Sequence, residues 1–348
     1  MMENEVVVRR AWLSQERFLD LMGAANLIPG PSSSELAVFI GYERAGIPGL
    51  VVAGACFVLP AALLTSAGAW AYVRFGTLPR AAGVLYGIKP VVIAIVAQAL
   101  WILGPKAIKK SRWLGTLGAV ACSAAVLNVD GLAVLLGAGA TSMLGQAAVR
   151  RRDATKSLML LTPIPITIAG PAATIGLGTL FLTFLKIGAV VFGSGYVLLA
   201  FLRADLVQRL HWLTESQLID AVAVGQVTPG PVFTTATFIG YLLAGGWGAA
   251  IATIGIFLPG FILVAAIRPL LAMMRRSQAA GAFLDGVNVA ALALMAVVTV
   301  HLGRAALVDR LSVVLAVASA LLLVRFKVNS TWLIATGALV GAVAKGPP

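Results

Sequence analysis

Apolar runs of at least twenty residues recur along this chain, at 49–73, 82–104, 179–202, 246–267 and 282–301. About 17–25 such residues are enough to cross a bilayer. In lipid no water is present to satisfy backbone N–H and C=O groups, so runs of this kind must fold as helices. The composition agrees: 60% of the residues are hydrophobic and 11% are charged, against about 25% charged in a soluble domain. Too little polar surface remains to coat a water-soluble particle. The 37 glycines fit as well, since Gly is commoner in membrane helices. The expectation is an all-α polytopic membrane protein whose main partner is the lipid bilayer.

The net charge of +13 could suggest a nucleic-acid binder. That function needs a basic face on a folded domain. Here the bases sit in short loops between apolar runs: Lys106, Lys109, Lys110 and Arg112, then Arg150, Arg151, Arg152 and Lys156. This is the positive-inside pattern, so nucleic acid is excluded as a partner. Cys56 and Cys122 lie in apolar runs and read as small packed hydrophobes. His211 and His301 are far apart, so no metal-ligand cluster forms. No phosphate-binding loop and no hydrolase or metalloprotease motif occurs. The expectation is neither enzyme nor cofactor protein. Residues 1–26 are polar and amphipathic, unlike a signal peptide.

Two segments are neither ordinary spans nor ordinary loops. Residues 13–26 and 213–225 are amphipathic, and each runs into a Pro-Gly-Pro, at 29–31 and 229–231. Proline in a helix interior removes a hydrogen bond and clashes with the preceding turn. Each Pro-Gly-Pro therefore ends one helix and starts another, over 32–42 and 232–243. Broken backbone at membrane depth survives only inside protein or beside an aqueous cavity.

These segments belong to a duplication. At a shift of 200, Trp12, Leu13, Asp20 and Pro29-Gly30-Pro31 meet Trp212, Leu213, Asp220 and Pro229-Gly230-Pro231. At a shift of 199, Ile40-Gly41-Tyr42 meets Ile239-Gly240-Tyr241, Ala45-Gly46 meets Ala244-Gly245, and Gly87 meets Gly286. Shared composition does not reproduce Trp, Asp, Tyr and Pro-Gly-Pro together at one spacing. Residues 113–148 and 311–344 read as hairpins of short helices, and Pro163, Pro165 and Pro171 make 158–177 a connector. The chain divides into a first repeat over 1–148, a linker over 149–178 and a second repeat over 179–348. Matching interrupted helices in two halves point to a secondary transporter with its site at the repeat interface. Basic loops at 105–112 and 149–157 go to the cytoplasm and the Asp130 turn outside. One crossing at 179–202 then inverts the second repeat, leaving Arg268, Arg275 and Arg276 inside. The counterpart of 179–202 would precede Met1, so the first repeat is expected to lack its first helix, by truncation.

The helix starts after the breaks carry Ser32, Ser33 and Ser34, and Thr234 and Thr235. Free N–H groups and hydroxyls at a helix start form an anion site; the same hydroxyls could instead only cap their helices. Lys89 and Lys186 lie inside apolar runs, where a Lys costs about 2.5–3.5 kcal/mol and faces a partner or a wet cavity unless it snorkels. Two helix starts and one Lys sum to about +2, which suits a doubly charged oxyanion. Asn26, Gln226 and Asn288 add uncharged hydrogen bonds. Gly193-Ser194-Gly195 permits close backbone approach, or simply helix packing. Glu35 is a proton-coupling candidate, or a carboxylate held by the start of its own helix. Asp20 and Asp220 read as helix-surface or interface groups.

The runs NLIPGPSSSELAVFIGYERAG, LYGIKPVVIAIVAQALW, FLKIGAVVFGSGYVLLAFLRADLV, AVAVGQVTPGPVFTTATFIGYLLAG and FLDGVNVAALALMA resemble the chromate ion transporter family in its long two-domain form. The likeness covers nearly the whole chain. It implies export of chromate across the bacterial inner membrane and resistance to it, with sulfate as an analogue. It also implies an anion site at Pro29 to Glu35, Lys89, Lys186, Gly193 to Gly195 and Pro229 to Pro231. A homodimer is compatible with it. Family members usually carry a further N-terminal segment that this chain lacks. The alternatives are a transporter of sulfate or another small anion and, from other classes, a membrane-embedded transferase or a passive channel. No catalytic cluster supports the transferase, and a channel has no need of repeated broken helices.

Overall fold

The computed structural model describes residues 2–25, 28–76, 78–108, 111–127, 129–151, 176–191 and 195–345. Among them every regular element is a helix. The first half holds α1 (Gln15–Ala25), α2 (Ser32–Phe75), α3 (Pro79–Ile108), α4 (Arg112–Val126) and α5 (Gly131–Arg151). The second holds α6 (Leu177–Val190), α7 (Leu198–Leu202), α8 (Glu215–Val227), α9 (Thr235–Arg276), α10 (Gln278–Ala306), α11 (Arg310–Arg325) and α12 (Ser330–Lys345). Among the described residues four apolar helical stretches are long enough to cross a membrane: Ser32–Phe75, Ala81–Ile108, Val232–Ala266 and Gln278–Ala306. Their outward side chains, such as Leu63, Trp101 and Trp247, are exposed, as fits a lipid solvent.

The stretch 32–42 and the run 49–73, read from sequence as separate pieces, form the single element α2, folded back on itself. Ala45 (φ −147°, ψ 22°) and Gly46 (φ 62°, ψ −143°) leave helical geometry. A methyl group on Gly41 would collide with the Gly49 carbonyl and the Ala53 side chain. In a straight helix residues 41 and 53 would lie about 18 Å apart, so α2 is a tight helical hairpin. Its inner leg starts at the first Pro-Gly-Pro. The same device recurs in α9: Gly245 has φ 62°, and Gly240 packs against Gly248 and Ala252. The Thr237 and Thr253 hydroxyls, 2.7 Å apart, tie its two legs together.

Corresponding geometry accompanies the corresponding residues elsewhere. Asn4–Arg9 and Arg203–Arg209 are π-helical turns. They end with Ala11 and His211 at φ 46° and 52°. Trp12 N–H donates to Val6 O, and Trp212 N–H to Leu206 O, both at 2.8 Å. Thr214 opens α8 with a reciprocal capping box to Gln217, which satisfies two otherwise unpaired N–H groups.

The halves are interwoven. In the first half, α3 packs on α11 and α12 of the second; α10 of the second packs on α4 and α5 of the first. Small residues permit both approaches: Gly87 meets the backbone of Gly337 and Gly341, and Gly286 meets that of Ala138. Without a hydrophobic driving force between helices in lipid, such close backbone contact is a main source of association. The two hairpins α2 and α9 pack on each other, with Phe261 over Gly54.

One expectation is corrected. The run 179–202 is not a continuous spanning helix: α6 ends at Val190, Val191 is extended (ψ 102°), and helical backbone resumes at Gly195. Consecutive β-branched residues followed by Gly-Ser-Gly remove the helix preference there. Most of the linker at 149–178 lies outside the described residues.

Candidate functional site

Three interruptions of helical backbone come together. Between α1 and α2, Gly30 has φ 130°; between α8 and the short turn Val232–Thr234, Gly230 has φ 145°. Only glycine adopts such angles without strain. The third lies after α6. Gly30 N–H donates to Val191 O at 2.7 Å, joining the first break to the third. Gly195, where the chain resumes, faces Val232 at the second break. Pro29, Gly30 and Pro31 are buried, whereas Pro229 and Gly230 are exposed and Pro231 is buried.

The hydroxyls divide into two groups. Ser34 Oγ donates to Pro31 O at 2.8 Å and Thr234 Oγ1 to Pro231 O at 2.9 Å. Both are thereby used within their own turns. Ser32 is half-buried and Ser33 exposed at the start of α2. Thr235 is 1% exposed and its Oγ1 has no hydrogen-bond partner. Gln226 Nε2, buried in the last turn of α8, has none either. A buried polar group left unpaired costs about 1–3 kcal/mol, so such groups collect where a ligand or water completes them.

A third such group was not foreseen. The outer leg of α2 runs antiparallel along α8: Ala61 abuts Gly230, Gly68 abuts Val224, and the Tyr72 hydroxyl donates to Asp220 Oδ2 at 3.0 Å. This register sets Thr65, on the same face of α2 as Ala61 and Gly68, opposite the end of α8. Thr65 is fully buried and its Oγ1 is unpartnered. Gly225 packs against Thr235. Unpaired groups of Thr65, Gln226 and Thr235 thus gather around the second break. Thr65 corresponds to Val264 in the repeat, so duplication gave no signal for it.

Glu35 lies at the first break. Its carboxyl lies between Gly30 and Gly260: a methyl group on Gly30 would collide with it, and one on Gly260 would press on it. It borders a cavity of ≈ 10 Å³, shared with Pro31, Phe233 and Phe257, about one water in size. Glu35 is 4% exposed and its Oε2 has no partner. The start of α2, where its backbone lies, favours negative charge.

Both lysines that the sequence places inside apolar runs are ion-paired. Lys89 Nζ lies 3.2 Å from Asp220 Oδ1 and donates to Ser216 Oγ at 2.6 Å. Lys186 Nζ reaches both Asp205 oxygens, at 3.1 and 3.2 Å. A buried unpaired ammonium is too costly to persist, and each finds an aspartate on a neighbouring element. Asp20 is half-buried near Arg17, while Asp220 is buried at the boundary between the halves. Arg209 also bridges Asp205, at 3.1 Å, so one carboxylate serves two cations. Asp205 and Arg209 line a second cavity of ≈ 420 Å³, with Arg203, Gln208 and Asp130. Arg203 is tied to Glu215 at 2.7 Å. Asn288 is half-buried on α10. Asn26, Gly193 and Ser194 lie outside the described residues.

Comparison with known proteins gives this geometry a context. The chromate transporter family model matches residues 1–143 and 178–342. The chromate transport protein of Cupriavidus metallidurans is 34% identical over 349 residues, covering 99% of this chain and 87% of that protein. The probable chromate transport protein of Synechococcus elongatus is 34% identical over 88% of this chain and 80% of its own length. An uncharacterized transporter of Methanocaldococcus jannaschii is 26% identical over 85% of this chain and 77% of its own. No solved structure matches. With both halves matched and near-full-length relatives above 30% identity, this chain belongs to the chromate transporter family.

Proposed function

We propose that this protein is a secondary active transporter that exports chromate across the bacterial inner membrane and so confers resistance to it. The carrying observation is the set of unpaired polar groups, Thr65, Gln226 and Thr235, buried around the break at Pro229 to Pro231. A tetrahedral dianion accepts hydrogen bonds from two hydroxyls, an amide and the N–H groups of a helix start together. The broken helices at Pro29 to Pro31 and Pro229 to Pro231, with Ser32, Ser33, Ser34, Thr234, Gly195 and Asn288, form its surroundings. Glu35 beside the first break is the proton-coupling candidate there. Arg209, which lines the larger cavity and shares Asp205 with Lys186, offers its guanidinium to the passing anion. Inverted repeats, each contributing one hairpin, give alternating access by rocking about this junction.

The test is uptake of labelled chromate into everted membrane vesicles containing the full chain, with and without an imposed pH gradient and with sulfate as competitor. Saturable chromate uptake that responds to the gradient supports the reading. Absence of saturable chromate flux overturns it. Saturable sulfate flux without chromate flux would instead make the protein a sulfate transporter.

A further inference from the structure

We infer that Asp220 is the proton site linked to the transported anion: as the dianion binds at the second break, the Asp220 carboxylate takes up a proton from water. This rests on the transport reading above and adds a coupling residue to it. Asp220 is 3% exposed on α8. Its Oδ1 lies 3.2 Å from Lys89 Nζ of α3, and its Oδ2 accepts from the Tyr72 hydroxyl of α2 at 3.0 Å. Three helices from two halves therefore converge on one carboxylate. Among the described residues packed on α8, Lys89 and Tyr72 are the groups that act on Asp220. One turn earlier Glu215 is held by Arg203, and His301 of α10 senses that pair and Arg304 instead.

A buried carboxylate stays ionised only with its cation beside it. Asp220 precedes Gln226 by six residues, about 9 Å along α8. The same face of α2 that carries Thr65 to the break carries Tyr72 to Asp220. An anion bound at the break adds negative charge in the same low-dielectric interior and disfavours an ionised carboxylate at Asp220. The carboxylate is then neutralised by a proton. Linkage is reciprocal, so protonation of Asp220 also favours anion binding. The duplication does not supply a second such set: in the repeat Lys89 and Tyr72 correspond to Asn288 and Leu271. One proton accompanies one anion.

Purified full-length protein in weakly buffered detergent solution tests this, at a pH where chromate is fully dianionic. Labelled chromate retained and protons taken up are measured together. The wild type should take up about one proton per bound chromate, and Asp220→Asn should bind chromate and take up none. Tyr72→Phe removes a donor to the carboxylate and should move the pH profile of chromate binding upward. Wild-type binding without proton uptake overturns the inference, as does full uptake in Asp220→Asn. If Asp220→Asn does not fold, an unshifted profile in Tyr72→Phe overturns it. Failure of the wild type to bind chromate at all overturns the transport reading as well, a result distinct from binding without a proton.

Discussion

Lys186 Nζ sits 3.1 Å from Asp205 Oδ1, tying the C-terminal half of α6 to the π-helical turn Arg203–Arg209. Arg209 remains on Asp205 if Lys186 is removed, which protects the fold from an orphaned buried carboxylate. Lys186→Gln should therefore insert normally yet lower chromate flux by about tenfold, equal to about 1.4 kcal/mol of lost anion attraction. Wild-type flux in vesicles of matched protein content would remove Lys186 from the site.

Thr65→Val separates binding from folding. Replacing an unpaired buried hydroxyl by a methyl group of the same shape removes a desolvation cost of about 1–3 kcal/mol. The variant should be at least as heat-stable as the wild type in detergent while its KM for chromate rises several-fold. An unchanged KM would mean that Thr65 does not touch the anion.

The hairpin geometry predicts two different costs in α2. Gly46 has a positive φ but open space around its missing Cβ, so Gly46→Ala should cost about 1–3 kcal/mol from backbone strain alone. Gly41 has an ordinary φ but no space, because the Gly49 carbonyl occupies it. Gly41→Leu should prevent the legs from closing and abolish recovery of folded protein. The unfolding midpoints of the purified variants measure both effects.

Asp309, in the turn between α10 and α11, caps α11 by accepting from Ser312 N–H at 2.9 Å. It also accepts a hydrogen bond from the Tyr86 hydroxyl of α3. The Tyr86 bond first, then the bonds from Ser312 and the Lys345 charge, push its carboxyl down to about 2. A depressed carboxyl contributes stability that is present above the ordinary aspartate range and lost as pH falls toward about 2. Tyr86→Phe should move this acid loss to higher pH. The thermal midpoint followed against pH reads the shift; coincident profiles for the two proteins would contradict it.

Much of the helical layout is legible in the residues because it rests on local chemistry. Pro-Gly-Pro must interrupt a helix wherever it occurs, and the break before Ser32 and the one before Val232 fall beside it. The stretches before them become α1, which is amphipathic, and α8, which is buried on all sides from Leu218 to Ala223. The hairpin turns at Gly46 and Gly245 were visible only as matched glycines, since folding back is decided by the small residues on both legs. The interruption after Val190 escaped notice because an apolar run with Gly-Ser-Gly also reads as a packing face. The partners of the lysines were hidden for a different reason. Asp220 meets Lys89 through the packing of α8 on α3, 131 positions apart along the chain, and nothing local to either residue records that. Thr65 likewise becomes informative only once the antiparallel register of α2 and α8 is known.

The most direct measurement is counterflow in liposomes holding the purified full-length protein. Vesicles loaded with unlabelled chromate are diluted into a trace of labelled chromate at equal pH on both sides. A carrier that alternates about one site concentrates the label transiently inside, and Thr65→Val should weaken that overshoot. A label that only equilibrates, without an overshoot, would contradict a carrier and indicate a passive pore.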